Sequence, residues 1–251
     1  MDRRLELVRR YYAPLSTATV KLETTQHGFG FLEALTRRGA RLEYGELTLH
    51  GALHKYKLSG VPPEQWDELL ADHVAKRANV CLYFGPAENA LFAFNLDNNR
   101  REKNTEVIPE MTLAVAGVRE RLEAHGLRPL VIASGRGYHI WCRLDAPRRN
   151  EEIYRFMLSQ AVQTAAGIHF QGGDRHRVKF NFYPDPHTDN LVSLRLFGSD
   201  HAKNQVFSRV FTRDGLLDEP QSWDWFERHV NAGPVSAGVF DAALKGSGAR
   251  A

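Results

Sequence analysis

Cysteine is scarce in this chain: two in 251 residues, Cys81 and Cys142, far apart and in no CxxC pair. That excludes a disulfide scaffold and a cysteine zinc knuckle. Long apolar runs are missing as well, since no stretch approaches the roughly 18 uninterrupted apolar residues of a membrane helix. The opening MDRRLELVRR has basic residues but neither an apolar core nor a small-residue cleavage site, so no secretory signal is expected. Together these absences lead us to expect no membrane partner and a reducing, cytoplasmic setting. Charge of one sign is not in excess: 33 Lys and Arg against 30 Asp and Glu leave +3, too little alone to argue for a nucleic-acid partner. No internal repeat is visible, which excludes solenoids and propellers. The remainder is ordinary globular material, 43% hydrophobic and 25% charged, with an unusual count of eleven histidines. At roughly 150 residues per domain the length allows one large domain or two coupled modules.

The periodicities predict a mixed fold. A short helix is expected over 5–12, and the rest of the first 45 residues carry no clear pattern. Strands are expected at 46–50 and 53–58. Pro62 and Pro63 then open a helix over 64–77, because proline suits the first turn and acids favour its positive end. Apolar runs at 80–84 and 91–97, joined by Gly-Pro-Ala-Glu-Asn, read as a hairpin. Met111, Val115, Val118 and Leu122 repeat at helical spacing within 106–124, and Gly126 marks the stop. Strands at 130–133 and 138–144 flank the turn Ser-Gly-Arg-Gly, and Asn150 caps a helix running to about 166. Strands are expected again at 178–183, 191–197 and 205–211, followed by a helix at 222–230. Beyond Asn231 the chain is rich in Gly, Ala and Ser and is expected to be a flexible tail, 231–251. Strands and helices without strict alternation make the fold class α+β.

Three clusters could carry chemistry. In Leu-Phe-Ala-Phe-Asn-Leu-Asp (91–97), alternation puts Phe92, Phe94 and Leu96 on one face and Ala93, Asn95 and Asp97 on the other. Side chains two apart leave a strand about 6.6 Å apart, so Asn95 and Asp97 offer neighbouring oxygens of the kind a hard cation takes. Equally, Asp97, Asn98 and Asn99 could simply end the strand in a turn. In Ser134-Gly-Arg-Gly-Tyr-His-Ile-Trp141, two glycines let backbone N–H groups approach an anion, with Ser134, Arg136 and His139 as further donors. A tight hairpin with a satisfied histidine has the same sequence. The third cluster places Asp185 or Asp189 ahead of Arg195-Leu-Phe-Gly-Ser199 and Lys203: an acid for a metal and cations for a triphosphate, or else a Pro/Asp loop with a solvated basic edge.

In this order, acid strand, SGxGxH, acid, RLxGS and lysine, the sequence resembles the archaeo-eukaryotic primase superfamily, the catalytic core of primase-polymerases, over residues 80–204. The resemblance implies an archaeo-eukaryotic primase-like core at 80–230, an α/β unit packed on an RRM-like unit, preceded by an N-terminal extension at 1–79. It implies that Asp97 and Asp185 hold Mg²⁺ or Mn²⁺, with Asn95 beside them. Ser134, Arg136 and His139 would contact the phosphates of an NTP or dNTP, and Arg195, Ser199 and Lys203 would lie near the triphosphate. The implied activity is nucleotidyl transfer on a single-stranded DNA or RNA template, with a helicase or other replication protein as a possible partner in trans.

One position departs from the family pattern. The first acid of the strand is Asn95, so one formal charge for a metal is gone. The sequence therefore supports two readings: a working primase-polymerase, or a catalytically degenerate relative that binds nucleotide or nucleic acid within a larger replication, repair or defence complex. A histidine-metal hydrolase using His187 and His201 ranks third, because no compact HxH or HExxH spacing is present. Arg100, Arg101, Lys103, Arg148, Arg149, Arg175, Arg177 and Lys179 could line a path for a phosphate backbone or form a solvated surface.

Overall fold

Alternating apolar and polar residues along short strands build two antiparallel sheets. The computed structural model describes residues 2–24, 41–47, 54–98, 107–164, 178–187, 193–201 and 204–247. In chain order the elements begin with α1 (Arg3–Tyr12), β1 (Ser16–Thr24), β2 (Arg41–Leu47), β3 (His54–Ser59), α2 (Pro63–Val74) and β4 (Asn79–Tyr83). The middle of the chain gives β5 (Glu88–Asn98), α3 (Pro109–Ala124), β6 (Leu130–Ala133), β7 (Gly137–Arg149), α4 (Asn150–Thr164) and β8 (Val178–Tyr183). It ends with β9 (Ser193–Arg195), β10 (Arg209–Thr212), β11 (Gly215–Leu216), α5 (Glu219–Asn231) and α6 (Ala237–Gly246).

These elements form two compact units. The first takes Met1–Phe84 and Leu191–Ser208. Its sheet runs β2-β3-β1-β4-β9. Val20 and Leu22 of β1 pair across the sheet with Leu58 and Tyr56 on one side and Leu82 and Val80 on the other, so one face is apolar. The helix α1 begins where the Asp2 carboxylate accepts a hydrogen bond from Arg4 N (2.9 Å), and it buries Leu5, Val8 and Tyr12.

The second unit takes Gly85–Asn190 and Arg209–Ala251. Its sheet runs β11-β10-β6-β7-β5-β8. The succession β5-α3-β6-β7-α4-β8, with β6-β7-β5-β8 as spatial neighbours, is the split β-α-β arrangement. Phe92, Phe94, Leu96, Ile140, Phe180 and Phe182 point from the sheet into one core. From the helices, Val115, Val118 and Leu122 of α3 and Ile153, Phe156 and Met157 of α4 fill the other side of that core. By alternation, the opposite face carries Ala93, Asn95 and Asp97.

Several expectations are corrected. The runs 80–84 and 91–97 do not pair as a hairpin: β4 pairs with β1 and β9, while β5 pairs with β7 and β8. The linker is held instead by Asn89, whose side-chain amide accepts from Gly85 N (2.8 Å) and donates to Gly85 O (2.9 Å) and to Asn150 Oδ1 (2.7 Å). Both runs are buried throughout much of their length, so their pattern carried no information about which strand each would join. The early region without a pattern contains β1, the middle strand of its sheet. Residues 191–208, expected inside an 80–230 core, fold with 1–84, so the units do not follow the order of the sequence.

The expected flexible tail also contains a helix, α6, capped where Ser236 Oγ accepts from Gly238 N (3.3 Å). Its Phe240 is fully buried against Phe92 and Phe156, at ring separations of 5.8 and 5.1 Å. A Gly/Ala-rich composition hid the anchors that hold the segment, Phe240 the largest of them. Phe240→Ala is expected to cost about 3–5 kcal/mol, read as a lowered urea midpoint.

Candidate functional site

Strand register assembles a polar row on the second unit's sheet, on the face away from its core. His139 of β7 is the cross-strand partner of Asn95, and Asn181 of β8 is its partner on the other side. One rung along, Asp97 lies between Gly137 and Lys179 in the same way. Directly opposed residues in an antiparallel pair have Cβ atoms about 4.5–5.5 Å apart. His139 and Asn95 are buried, Asn181 and Asp97 half-buried, and Lys179 exposed. Asn181 escaped the sequence reading, although Val-Lys-Phe-Asn-Phe-Tyr alternates strictly and sets Lys179 and Asn181 on one face.

The Ser-Gly-Arg-Gly turn closes the β6–β7 hairpin beside this row. Ser134 N donates to Gly137 O (2.8 Å), and Gly135 takes φ +92°, in the left-handed region that favours glycine. Gly137 has a different reason to be glycine: an added Cβ would lie 1.9 Å from Leu96 O and 3.0 Å from Met111 Cε. The strand pairing alone therefore demands this glycine, whatever anion the turn contacts. Gly137→Ala is expected to disrupt the β5–β7 pairing enough to abolish soluble, folded protein, as judged by circular dichroism and yield.

The acid pair is closed on itself. Asn95 Nδ2 donates to Asp97 Oδ2 at 2.9 Å. The amide cannot be turned the other way without setting its oxygen against a carboxylate, which accepts only. Asn95 Oδ1 is buried and has no hydrogen-bond partner among the described residues. The third acid is elsewhere. Asp185 follows Tyr183, which pairs with Ala93, about 13 Å along β5 from Asp97. Its carboxylate accepts from His187 N (2.9 Å), and the His187 ring packs edge-on against Tyr154 of α4, on the helical side of the sheet. Asp185 is thus not brought to Asp97. Asp189, the other candidate, lies outside the described residues.

The donor set does not fit the Mg²⁺ or Mn²⁺ that the resemblance implied. Beside Asp97 stands a neutral amide that donates to its Oδ2 instead of a second carboxylate, and among the described residues no group of three or more His, Cys, Asp or Glu could hold a metal ion. That also leaves the histidine-metal reading through His187 and His201 without a ligand cluster among those residues.

The RLFGS segment lies in the first unit and is clamped by its backbone. Leu196 N donates to Val80 O (3.2 Å), and Phe197 N to Tyr12 Oη (3.0 Å). Phe197 O accepts from His73 Nε2 at 3.1 Å. Arg195 pairs across the sheet with Cys81, and its Nη1 donates to Ser199 O (3.3 Å). The same carbonyl accepts from Ser208 N (3.1 Å) and Ser208 Oγ (3.0 Å). Burial pulls the Arg195 guanidinium below its ordinary range. Ser199 is buried as well, so this turn is a rigid element of its unit. Lys203 lies outside the described residues.

Two of the basic residues considered for a phosphate path have structural partners. Arg148 makes a two-pronged contact with Asp241 (2.6 Å from Nε and from Nη2), and Arg149 pairs with Glu152 (2.6 Å). Lys179 is exposed beside Asp97. Arg100, Arg101, Lys103, Arg175 and Arg177 lie outside the described residues.

No family model and no curated protein matches the chain. Among solved structures it is similar to the polymerase domain of Ligase D from Mycobacterium tuberculosis, in a complex with DNA. The two are 13% identical over 96% of this chain and 86% of that one, with a TM-score of 0.48. It is also similar to primase RepB', again at 13% identity, over 92% of this chain and 64% of that one, with a TM-score of 0.37. Both likenesses are remote, and the mixed α/β fold rests on the chain's own elements and sheets.

Proposed function

We propose that this chain is a catalytically degenerate primase-like domain that binds a nucleotide or a single-stranded nucleic acid, as a subunit of a larger replication, repair or defence complex. The observation that carries the reading is the hydrogen bond from Asn95 Nδ2 to Asp97 Oδ2: the residue facing Asp97 is a neutral amide that donates to it, where a catalytic metal would call for a second anionic oxygen. The Ser-Gly-Arg-Gly-Tyr-His motif and its place beside the polar row support the assignment to primase-polymerase relatives. In this reading the split β-α-β unit corresponds to the RRM-like half of such a core.

The polar row can bind without a metal. Lys179 and Arg136 supply positive charge for a phosphate, and Ser134 and His139 supply hydrogen-bond donors near the same hairpin. Half-buried Asn181 offers an amide, a group that pairs with sugar hydroxyls or base edges. No chemical step is needed for this role.

The test is fluorescence titration with a labelled oligothymidine and with labelled ATP and dATP, in chelator and in Mg²⁺ or Mn²⁺, alongside primer extension. Binding of at least one ligand is expected to persist in chelator, to weaken at least tenfold in Arg136→Ala/Lys179→Ala, and to occur without extension. Extension by the wild type that vanishes in Asp97→Ala would restore the nucleotidyltransferase reading. Absence of binding under every condition would remove both.

A further inference from the structure

The first unit contains a cavity of about 360 Å³ between α1 and α2, floored by Leu82 of β4. Val8, Tyr12, Trp66 and Leu70 form its walls. Among the described residues the charged groups lining it are Arg9 and Asp67, which pair with each other, their side chains 39% and 53% exposed. Ala13, at the C-terminal end of α1, completes an exposed rim. No residue of the polar row or of the RLFGS segment takes part.

The charges around this cavity are sorted by helix. On the α1 side, Arg3, Arg4 and Arg10 are exposed beside Arg9, with Glu6 in the first turn lying 3.9 Å from Arg9. Asp2 caps the same helix. On the α2 side, Asp67 and Glu68 are exposed, and Asp72 is paired with Arg77. An apolar socket is thus set between a basic helix and an acidic one.

From this arrangement we infer a docking site for a peptide segment of a partner protein: an apolar anchor side chain enters the cavity, with acidic residues to one side of it and basic residues to the other. The volume is at the small end of the roughly 300–1,000 Å³ of ligand pockets, room for one large apolar side chain. The charged helices extend past the socket, farther than a small ligand reaches, which favours a peptide. Nucleic acid is disfavoured on two counts. The acids of α2 repel phosphates, and a base would bury its polar edge against Val8, Leu70 and Leu82 without partners. Opposed charges also set the direction in which the peptide lies.

The experiment is selection of a displayed random-peptide library on the full chain, followed by titration of the enriched peptides as labelled synthetics. Enriched sequences are expected to share an aromatic or large aliphatic residue with acids on one side and bases on the other. Their affinity should fall at least tenfold in Ala13→Trp, which fills the mouth of the cavity from an exposed helical position. Arg10→Glu, a surface change remote from the packing, should weaken the same peptides and leave circular dichroism unchanged. No enrichment overturns the proposal, as do enriched peptides without the charge order or peptides that bind Ala13→Trp and Arg10→Glu like wild type. A concentration-dependent dimer lost in Ala13→Trp would assign the surface to a second copy of this chain. Displacement of the peptides by oligothymidine, with oligothymidine binding lost in Ala13→Trp, would assign it to nucleic acid.

Discussion

Asn95→Asp is expected to make the stability of this protein depend on divalent metal. In the wild type the amide at position 95 donates a hydrogen bond to Asp97, and the position is 7% exposed. Aspartate there removes the donor and sets a second carboxylate beside the first in a site with little water. An unpaired buried charge of this kind costs about 3–5 kcal/mol. One of the two carboxyls is then driven to take up a proton, since like charges at this spacing raise the pKa of one member. The penalty is therefore largest at neutral pH and shrinks in mild acid, because the folded variant holds a proton that its unfolded chain releases. Mn²⁺ or Mg²⁺ between the oxygens offsets the penalty by binding the folded state alone. Urea unfolding in chelator and in millimolar metal reads both effects. The variant's midpoint should rise with metal while the wild type's stays put. Equal stability of the two proteins in chelator, with no response to metal, would mean that residue 95 does not face Asp97, and the account of the degenerate site would fall with it.

The sequence carried most of this row but not its closure. Alternation in 91–97 was enough to place Asn95 and Asp97 on one side of their strand; that His139 pairs with Asn95 came from the register of β5 with β7, which the sequence did not display. The hydrogen bond between Asn95 and Asp97 lay beyond reach, because the same two residues at the same spacing could share a cation or a proton. Asp185 misled for a related reason. Distance along the sequence says nothing of the end of a sheet at which a loop emerges, and an antiparallel β8 carries that loop away from Asp97. The hairpin expected from 80–84 and 91–97 failed because fully buried runs look alike whichever strand they join. The helices were more legible. In α3 and α5 the apolar spacing is helical, though the start of α5 lies three residues ahead of the expected 222, where Asp218 and Gln221 form a capping box. A segment such as α6 hides because, Phe240 apart, its buried residues include small alanines that composition reads as loose chain.

His73 holds the RLFGS segment to the first unit, and its replacement is expected to have an effect as large as that at position 95. The ring sits in α2, fully buried, between two backbone groups. Val80 N donates to Nδ1 at 3.0 Å, which fixes the proton on Nε2, and Nε2 donates to Phe197 O at 3.1 Å. Burial is the main cause that pushes its pKa from 6.5 down to about 3. The unfolded chain therefore takes a proton that the folded one refuses. The contribution of His73 is complete above pH 6.5 and is lost as the pH falls toward 3. Over that window the difference is on the order of 4 kcal/mol. His73→Leu keeps the apolar packing but leaves Val80 N and Phe197 O buried without their partner, a loss of about 2–5 kcal/mol at neutral pH. The variant should in exchange be less sensitive to acid, since it has no imidazole to protonate. His229 of α5, lowered to about 4 by burial, acts in the same direction in both proteins, so the informative quantity is the difference in slope between them. Urea midpoints measured across the acid range supply it. Parallel slopes would mean that the clamp on RLFGS does not depend on this histidine.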